Sequence, residues 1–261
     1  MPELPEVEAA RRVLADAAVG RAIAELRVLH PALERCISPA EQRSVVGRRV
    51  TGAERRGKHQ LLRLDDGRVL HVHFRMAGDW TVGRTAEPLP RHARAVLEFD
   101  DDSRVVLVDP RALCTIALHP SAAAALPALG PEATDPALDA GVLGAVLARR
   151  RGPIKPVLLD QRVVAGLGNI YAAEALWHAR ISPRAAAASL SAARLARLVD
   201  GMRRALAEAA TVPGRYAREE GVERLRVYGR EGEPCPRCGV RIRRIVQAGR
   251  STYYCPTCQR R

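Results

Sequence analysis

Two cysteine pairs near the end of the chain, Cys235-Pro-Arg-Cys238 and Cys255-Pro-Thr-Cys258, constrain the fold more than any other feature. Each pair offers two thiolates from one tight turn, and the 16 residues between the pairs suit a hairpin that folds one turn onto the other. Four thiolates complete a tetrahedron around Zn²⁺ and leave no position for a catalytic water, so the expected metal is one structural zinc. Two disulfides are the competing use of such pairs. Nothing else points to an oxidising compartment, since neither an apolar signal segment nor a disulfide-dense scaffold is recognisable. Cys36 and Cys114 are isolated and read as ordinary buried or half-buried thiols.

A chain of 261 residues, 47% of them hydrophobic, can build two domains with a core in each. Its net charge is +13, carried mostly by arginine, which favours bidentate contact with phosphate. Lysine is nearly absent, and a solubilising charge in an arginine-rich composition is the bland alternative. A basic chain with a zinc ribbon nevertheless makes nucleic acid the leading partner. No run is long enough to span a bilayer and no basic amphipathic helix has an aromatic face, so no membrane partner is expected. Aromatic residues make up only 3%, which argues against base-stacking platforms for single strands.

After an opening helix the first third reads as β structure. Ala24–Leu29, Arg48–Arg56, His59–Leu64, Val69–Phe74, Ala93–Phe99 and Ser103–Val108 are short and β-branched or alternating. Asp65-Asp-Gly67 and Asp100-Asp-Asp102 mark hairpin-like turns between them. His71 and His73 share one strand face by alternation, and His71 reads as a plain exposed-face residue. From Pro120 to Asp139 the alanine-rich, proline-punctuated sequence looks like a linker. Helical periodicity then dominates from Val142 to Ala210. Pro153–Gln161 reads as a short helix, Ala165-Gly-Leu-Gly-Asn169 as a tight turn and Ile170–His178 as a second helix. The start of that second helix presents backbone N–H groups to a phosphate, with Asn169 as its N-cap or as a direct ligand.

The opening Met1-Pro2-Glu3-Leu4-Pro5-Glu6-Val7-Glu8 admits two readings that can hold together. One is a helix start, with proline in the first turn and acids near the positive helix end. The other is chemical. Trimming Met1 leaves Pro2 with a free secondary amine, and an α-amino group with a pKa near about 7.7–8.0 is partly unprotonated at neutral pH. Such an amine attacks an aldehyde-like carbon to form an iminium, with Glu3 and Glu6 close by as proton donors or acceptors.

These residues together resemble the formamidopyrimidine-DNA glycosylase and endonuclease VIII family. The resemblance rests on Pro2–Glu8, Arg56-Gly-Lys58, His73-Phe-Arg-Met-Ala-Gly78, Asp109-Pro-Arg111, Asp160-Gln161 through Gly168-Asn-Ile-Tyr171, Val227-Tyr-Gly-Arg230 and the cysteine quartet. It covers essentially the whole chain. It implies an α+β fold of two domains. An N-terminal β-sandwich with flanking helices, residues 1–133, precedes a helix–two-turn–helix domain, residues 134–226, and a zinc-finger β-hairpin, residues 227–261. It also implies a base-excision repair glycosylase with AP lyase activity on double-stranded damaged DNA, acting as a monomer in a bacterial cytoplasm.

The resemblance assigns roles as well. The damaged nucleotide is flipped into a pocket between the domains, the Pro2 amine attacks its C1′ carbon, and Glu3 protonates the sugar ring oxygen. Lys58 contacts phosphate and assists elimination, Arg250 grips the phosphates flanking the lesion, and Glu6 supports the catalytic pair. His73, His92, Arg150, Asn169 and Tyr228 fall at positions used near DNA. Met76, Arg111 and Leu113 fill the vacated stack; here leucine stands where the family has phenylalanine, and Cys114 where it has glycine. A second departure is the short segment from Thr211 to Arg226, in which the loop that caps an everted 8-oxoguanine is missing. 8-Oxoguanine is therefore expected to be a poor substrate. The alternative is a non-catalytic damaged-DNA-binding protein of the same fold.

Overall fold

A computed structural model describes residues 2–210 and 225–260, and the chain divides into two compact units, Met1–Pro127 and Ala128–Arg261. The first unit opens with α1, Leu4–Ala18. Leu4, Val7, Ala10, Leu14 and Ala18 recur at helical spacing and are all buried, so one face of α1 seals the core. The strands β1 (Ile23–Val28), β6 (Ala93–Phe99), β7 (Ser103–Val108) and β5 (Asp79–Arg84) form one antiparallel sheet in that order. A second antiparallel sheet runs β2 (Val50–Arg56), β3 (His59–Leu64), β4 (Val69–His73), β8 (Thr115–His119). Leu26, Leu97 and Leu107 of the first sheet share one core with Val50, Leu62, Val72 and Ile116 of the second, which makes the pair a sandwich.

β5 and β8 were not among the expected strands. Each lies at the edge of its sheet. Three short helices are also additional: α2 (Pro31–Glu34), α3 (Pro39–Ser44) and α4 (Ala122–Ala125). α3 is set by a capping box in which Ser38 and Glu41 bond reciprocally, with proline at the first turn.

Sandwich topology collects the loops at one end. His73 ends β4 opposite Thr115 at the start of β8, while Asp79 starts β5 opposite Val108 at the end of β7. Residues 74–78 and 109–114 therefore cross from sheet to sheet side by side. His59 pairs with His73, so the β2–β3 turn bearing Lys58 lies at the same end, and Ala93 pairs with Val108, which brings His92 there too.

The second unit is helical. α5 (Ala140–Leu147), α6 (Ile154–Leu158), α7 (Asn169–His178) and α8 (Ala192–Ala210) precede a hairpin of β9 (Arg243–Gln247) and β10 (Arg250–Tyr254). The end of the expected linker is a packed part of this unit: Ala133 and Leu138 are fully buried. Gly130 donates to Gln161 O, and a Cβ there would lie 2.5 Å from Arg162 O, so close backbone approach demands glycine. The hairpin turn at Ala248-Gly249 has both residues at positive φ, 47° and 71°, the geometry of a tight two-residue connection. Among the described residues no helix is long and apolar enough to cross a membrane.

Candidate active site and zinc centre

Pro2 is buried just ahead of α1, and Glu3, 1% exposed, stands at the helix N-cap. The Glu6 carboxylate accepts from the Glu3 backbone N–H at 2.8 Å, which fixes the peptide between the two residues expected to do the chemistry. One turn on, Glu8 accepts from Arg55 Nε at 3.1 Å and from Arg11 Nη2 at 3.0 Å, while Arg11 Nη1 reaches Ala53 O at 3.2 Å. Burial opposes ionisation of Glu8, and the guanidinium partners outweigh it and hold the carboxyl below its usual range. The contacts run antiparallel, Arg11 to residue 53 and Glu8 to residue 55. Continued backwards along α1, that course points Pro2 and Glu3 toward the turn at Gly57-Lys58. Lys58 is 7% exposed.

The neighbouring crossings are built by short-range bonds. Asp109 is fully buried, and its carboxylate accepts from the backbone N–H groups of Arg111 (2.9 Å), Leu113 (2.7 Å) and Cys114 (2.8 Å). Arg94 Nε holds the Asp109 carbonyl at 2.7 Å. This anion-centred loop leaves Arg111 exposed and Leu113 44% exposed. On the adjacent crossing Met76 is 41% exposed, and Gly78 closes the turn onto Phe74 O, where a Cβ would lie 2.8 Å from Phe74 Cα. Two large apolar side chains kept in water at one end of a sandwich are poised to be covered by something else. Cys114 is buried, and burial followed by the Asp109 charge pushes its thiol up to about 12, an unreactive state.

His73 Nδ1 accepts the Arg75 N–H at 3.0 Å, so its neutral ring carries the proton on Nε2. His71 is not a plain exposed-face residue. It is half-buried and bonded to His59.

In the second unit, Gly168 caps α7 and Asn169 is its first helical residue, so Asn169 is not the N-cap. Its Nδ2 donates to Ser251 O (3.1 Å) and Tyr228 OH (3.3 Å), and its Oδ1 accepts from Lys155 Nζ. Asn169 and Tyr228 thus meet the strand that begins with exposed Arg250. Arg150 is held elsewhere: its Nη1 bonds Asp160 at 3.1 Å, a carboxylate shared with Arg162.

Two residues central to this arrangement carry no sequence motif of their own. Lys155 is 1% exposed and donates to Thr252 Oγ1 at 2.9 Å and Ser251 O at 3.3 Å as well as to Asn169, riveting α6 and α7 to β10. Glu174 is 3% exposed and accepts from the backbone N–H groups of Arg226 (2.7 Å), Val227 (3.0 Å) and Tyr228 (2.8 Å). Burial pushes its carboxyl up, against those three donors. Composition held one signal for Lys155. The chain has two lysines, and both are buried.

The four cysteine sulfurs all lie within 4.8 Å of one another, with Cys238–Cys255 at 3.5 Å and Cys235–Cys258 at 4.0 Å. Tetrahedral Zn²⁺ with bonds of about 2.3 Å puts its sulfurs about 3.8 Å apart, so the quartet fits the ion. Charge points the same way. Against its burial, Cys235 is drawn down to about 6 by the Trp177 indole N–H, at 3.4 Å, and by backbone donors. Cys258 is pushed up to about 12 by burial and its neighbouring thiols, a conflict that a dication resolves. Behind the quartet, Ala173 and Trp177 of α7 pack with Val227, Ile242 and Cys255. The site is a structural zinc centre that ties the hairpin to α7.

Family models match three successive stretches: the formamidopyrimidine-DNA glycosylase N-terminal domain over residues 1–116, the corresponding H2TH domain over 129–219, and the zinc finger found in FPG and IleRS over 232–261. The chain belongs to the formamidopyrimidine-DNA glycosylase family. Relatives carrying that enzyme name include one from Cereibacter sphaeroides, 42% identical with both chains wholly covered, and one from Moorella thermoacetica, 43% identical over 94% of each. Among solved structures, MutM in complex with DNA containing carbocyclic 8-oxo-G superposes with a TM-score of 0.91 at 34% identity, covering both chains fully. Lactococcus lactis Fpg in complex with DNA containing an abasic site gives 0.90 at 32%, again over both whole chains.

Proposed function

We propose that this family member excises oxidised bases from duplex DNA through the secondary amine of Pro2 and then nicks the strand. The reading is supported by the meeting, at one end of the sandwich, of the Lys58 turn and the two crossings that expose Met76, Arg111 and Leu113, and by a buried Pro2-Glu3 pair at the head of a helix whose course along β2 points toward that turn. The Pro2 nitrogen forms a bond to C1′ as the bond from C1′ to the base breaks, and Glu3 delivers a proton to the sugar ring oxygen so that the ring opens to an iminium. The iminium acidifies the neighbouring carbon. Loss of that proton expels the 3′ phosphate, and a second elimination expels the 5′ phosphate. Lys58 stabilises the phosphates that leave, and Met76, Arg111 and Leu113 occupy the vacated stack. Asn169, Tyr228, Arg250 and the start of α7 bind backbone phosphate, with His73 and His92 doing so from the sandwich. Arg150 joins them with the N–H donors that its Nη1 bond to Asp160 leaves over.

Borohydride reduction during turnover of an abasic duplex is expected to trap a covalent adduct at the N-terminal proline, located by mass spectrometry. A linkage at Lys58 or Lys155 would overturn the assignment. Retaining Met1 should abolish turnover, because the proline nitrogen is then an amide.

For the substrate, we infer that 8-oxoguanine opposite cytosine is excised more slowly than formamidopyrimidines, oxidised pyrimidines or abasic sites. The shortened segment that motivates this, residues 211–224, lies outside the described residues. Single-turnover rates on a lesion panel test it, and equal rates for 8-oxoguanine and formamidopyrimidine would refute it.

A further inference from the structure

The face of the second sheet turned away from the shared core carries a row of four half-buried histidines, of which the proposed reaction uses only His73. His59, immediately after Lys58, lies opposite His73 in the β3–β4 register, the rings meeting edge to face at 4.8 Å. His59 Nδ1 and His71 Nε2 are 2.8 Å apart. His71 in turn meets the His119 ring at 5.7 Å on β8, and His119 acts electrostatically on Glu41 of α3.

Two ring nitrogens at that separation hold one N–H between them, so in the neutral state one ring donates and the other accepts. One added proton turns the donor into an imidazolium and strengthens the same bond. A second would set N–H against N–H and break it. The pair therefore has room for one proton and keeps its geometry on taking it.

Both rings are held neutral at pH 7. Burial, then Arg75 and Lys58, bring His59 down to about 4; burial, then His59, His119 and Arg75, do the same for His71. His73 sits at about 3 for like reasons, burial first. The cations acting on the pair are Lys58 from the β2–β3 turn and Arg75 from the β4–β5 crossing. An anion laid against Lys58 and Arg75 would cancel their repulsion and attract a proton to the nearest vacant base.

We propose that a DNA phosphodiester docking against Lys58, His73 and Arg75 draws one proton onto the His59–His71 pair, making the pair part of the phosphate site. This rests on the reading of the Lys58 end as DNA-facing. His73 donates from Nε2 and keeps its Nδ1 bond to Arg75, so the added charge resides on the pair behind it. Coupling is reciprocal: the phosphate raises the proton affinity of the pair, and the proton raises affinity for phosphate.

The test is the affinity for a duplex bearing a tetrahydrofuran abasic analogue, measured by anisotropy at fixed ionic strength between about pH 5.5 and 8. Uptake of one proton strengthens binding by up to about tenfold per unit of falling pH. His59→Gln and His71→Gln retain a hydrogen-bonding partner but remove the shared site, and both should flatten the slope. Imidazole nitrogen-15 shifts of the wild-type protein give a second reading, in which the titration of the pair should move upward when DNA is bound. Equal slopes in wild type and variants, or ring titrations unmoved by DNA, would overturn the proposal while leaving DNA binding intact. Absence of duplex binding at every pH would instead remove the DNA-facing reading on which it stands.

Discussion

Replacing Lys155 by methionine should loosen β10 from the start of α7 without emptying the zinc site. The ammonium donates to Asn169 Oδ1, Thr252 Oγ1 and Ser251 O from a position 1% exposed. Methionine fills the space of the stem, so little cavity cost is added. Ser251 O keeps a donor in Asn169 Nδ2 at 3.1 Å, whereas the buried Thr252 hydroxyl and Asn169 Oδ1 lose theirs. Two orphaned acceptors cost about 1–3 kcal/mol each. Relief of the ammonium's own desolvation offsets part of this, leaving a net loss of about 2–4 kcal/mol. Amide hydrogen exchange at Thr252 and Tyr254 should accelerate by a matching factor, about 30- to 1,000-fold where exchange follows hairpin undocking. Zinc content should stay at one per chain. Lys155→Arg should fail to rescue, because a planar fork does not occupy the volume of a compact ammonium. Exchange at Thr252 unchanged in Lys155→Met would refute the account of Lys155 as the rivet.

Cys238→Ser should lower zinc affinity and destabilise the hairpin, since such sites contribute on the order of 10 kcal/mol to local folding; metal analysis and exchange at β9 and β10 report it, and retention of one tightly held zinc would count against the four-thiolate site. Arg111→Ala and Leu113→Ala should slow excision from duplex more than cleavage of a single-stranded abasic oligonucleotide, because their proposed task is to fill a vacated stack; equal losses on both substrates would assign them another role. The unliganded protein should lose stability on acidification. His59, His71 and His73 have folded values depressed to about 4, 4 and 3. Their stabilisation is full above the unfolded value near about 6.5 and declines as pH falls through the window below it. Thermal melts at pH 7.5 and 5 check the sign, and His59→Gln should shrink the difference.

Much of the fold was legible because its signals are local. Core strands such as Val69–His73 and Ser103–Val108 carry dense β-branched runs, and both cysteine pairs declare their chemistry by spacing. β5 and β8 were missed for a shared reason. Each is an edge strand next to a crossing, so one side has no neighbour to demand a pattern, and Gly83 weakens β5 further. The helix at Pro39–Ser44 was readable from Ser38-Pro-Ala-Glu41, a complete capping signal, but a helix of six residues shows no periodicity. The alanine-rich stretch before Asp139 reads as linker because the features that pack it, Gly130 against Arg162 O and Ala133 bonded to Ala165 O, depend on partners some 30 residues away.

The candidate site divides along the same line. Pro2, Glu3 and the cysteines are legible as candidates because the residue type and its immediate neighbours suffice to state the chemistry. Asp109 and Glu174 act through backbone groups and Lys155 through acceptors 14 to 97 residues away, and no sequence pattern marks a carboxylate whose partners are amides 52–54 residues later, as for Glu174. Composition is what remains as a signal at such positions. Where 42 basic residues include only two lysines, a general preference for arginine has been overruled twice, and both exceptions lie where a compact ammonium must be buried. Arginine serves an exposed phosphate-binding face as well as lysine or better. It cannot serve a cavity shaped for three converging acceptors. Of the two scarce lysines, Lys155 occupies such a cavity, with three acceptors converging on its ammonium, and Lys58 is the second lysine buried in a chain whose other cations are arginine.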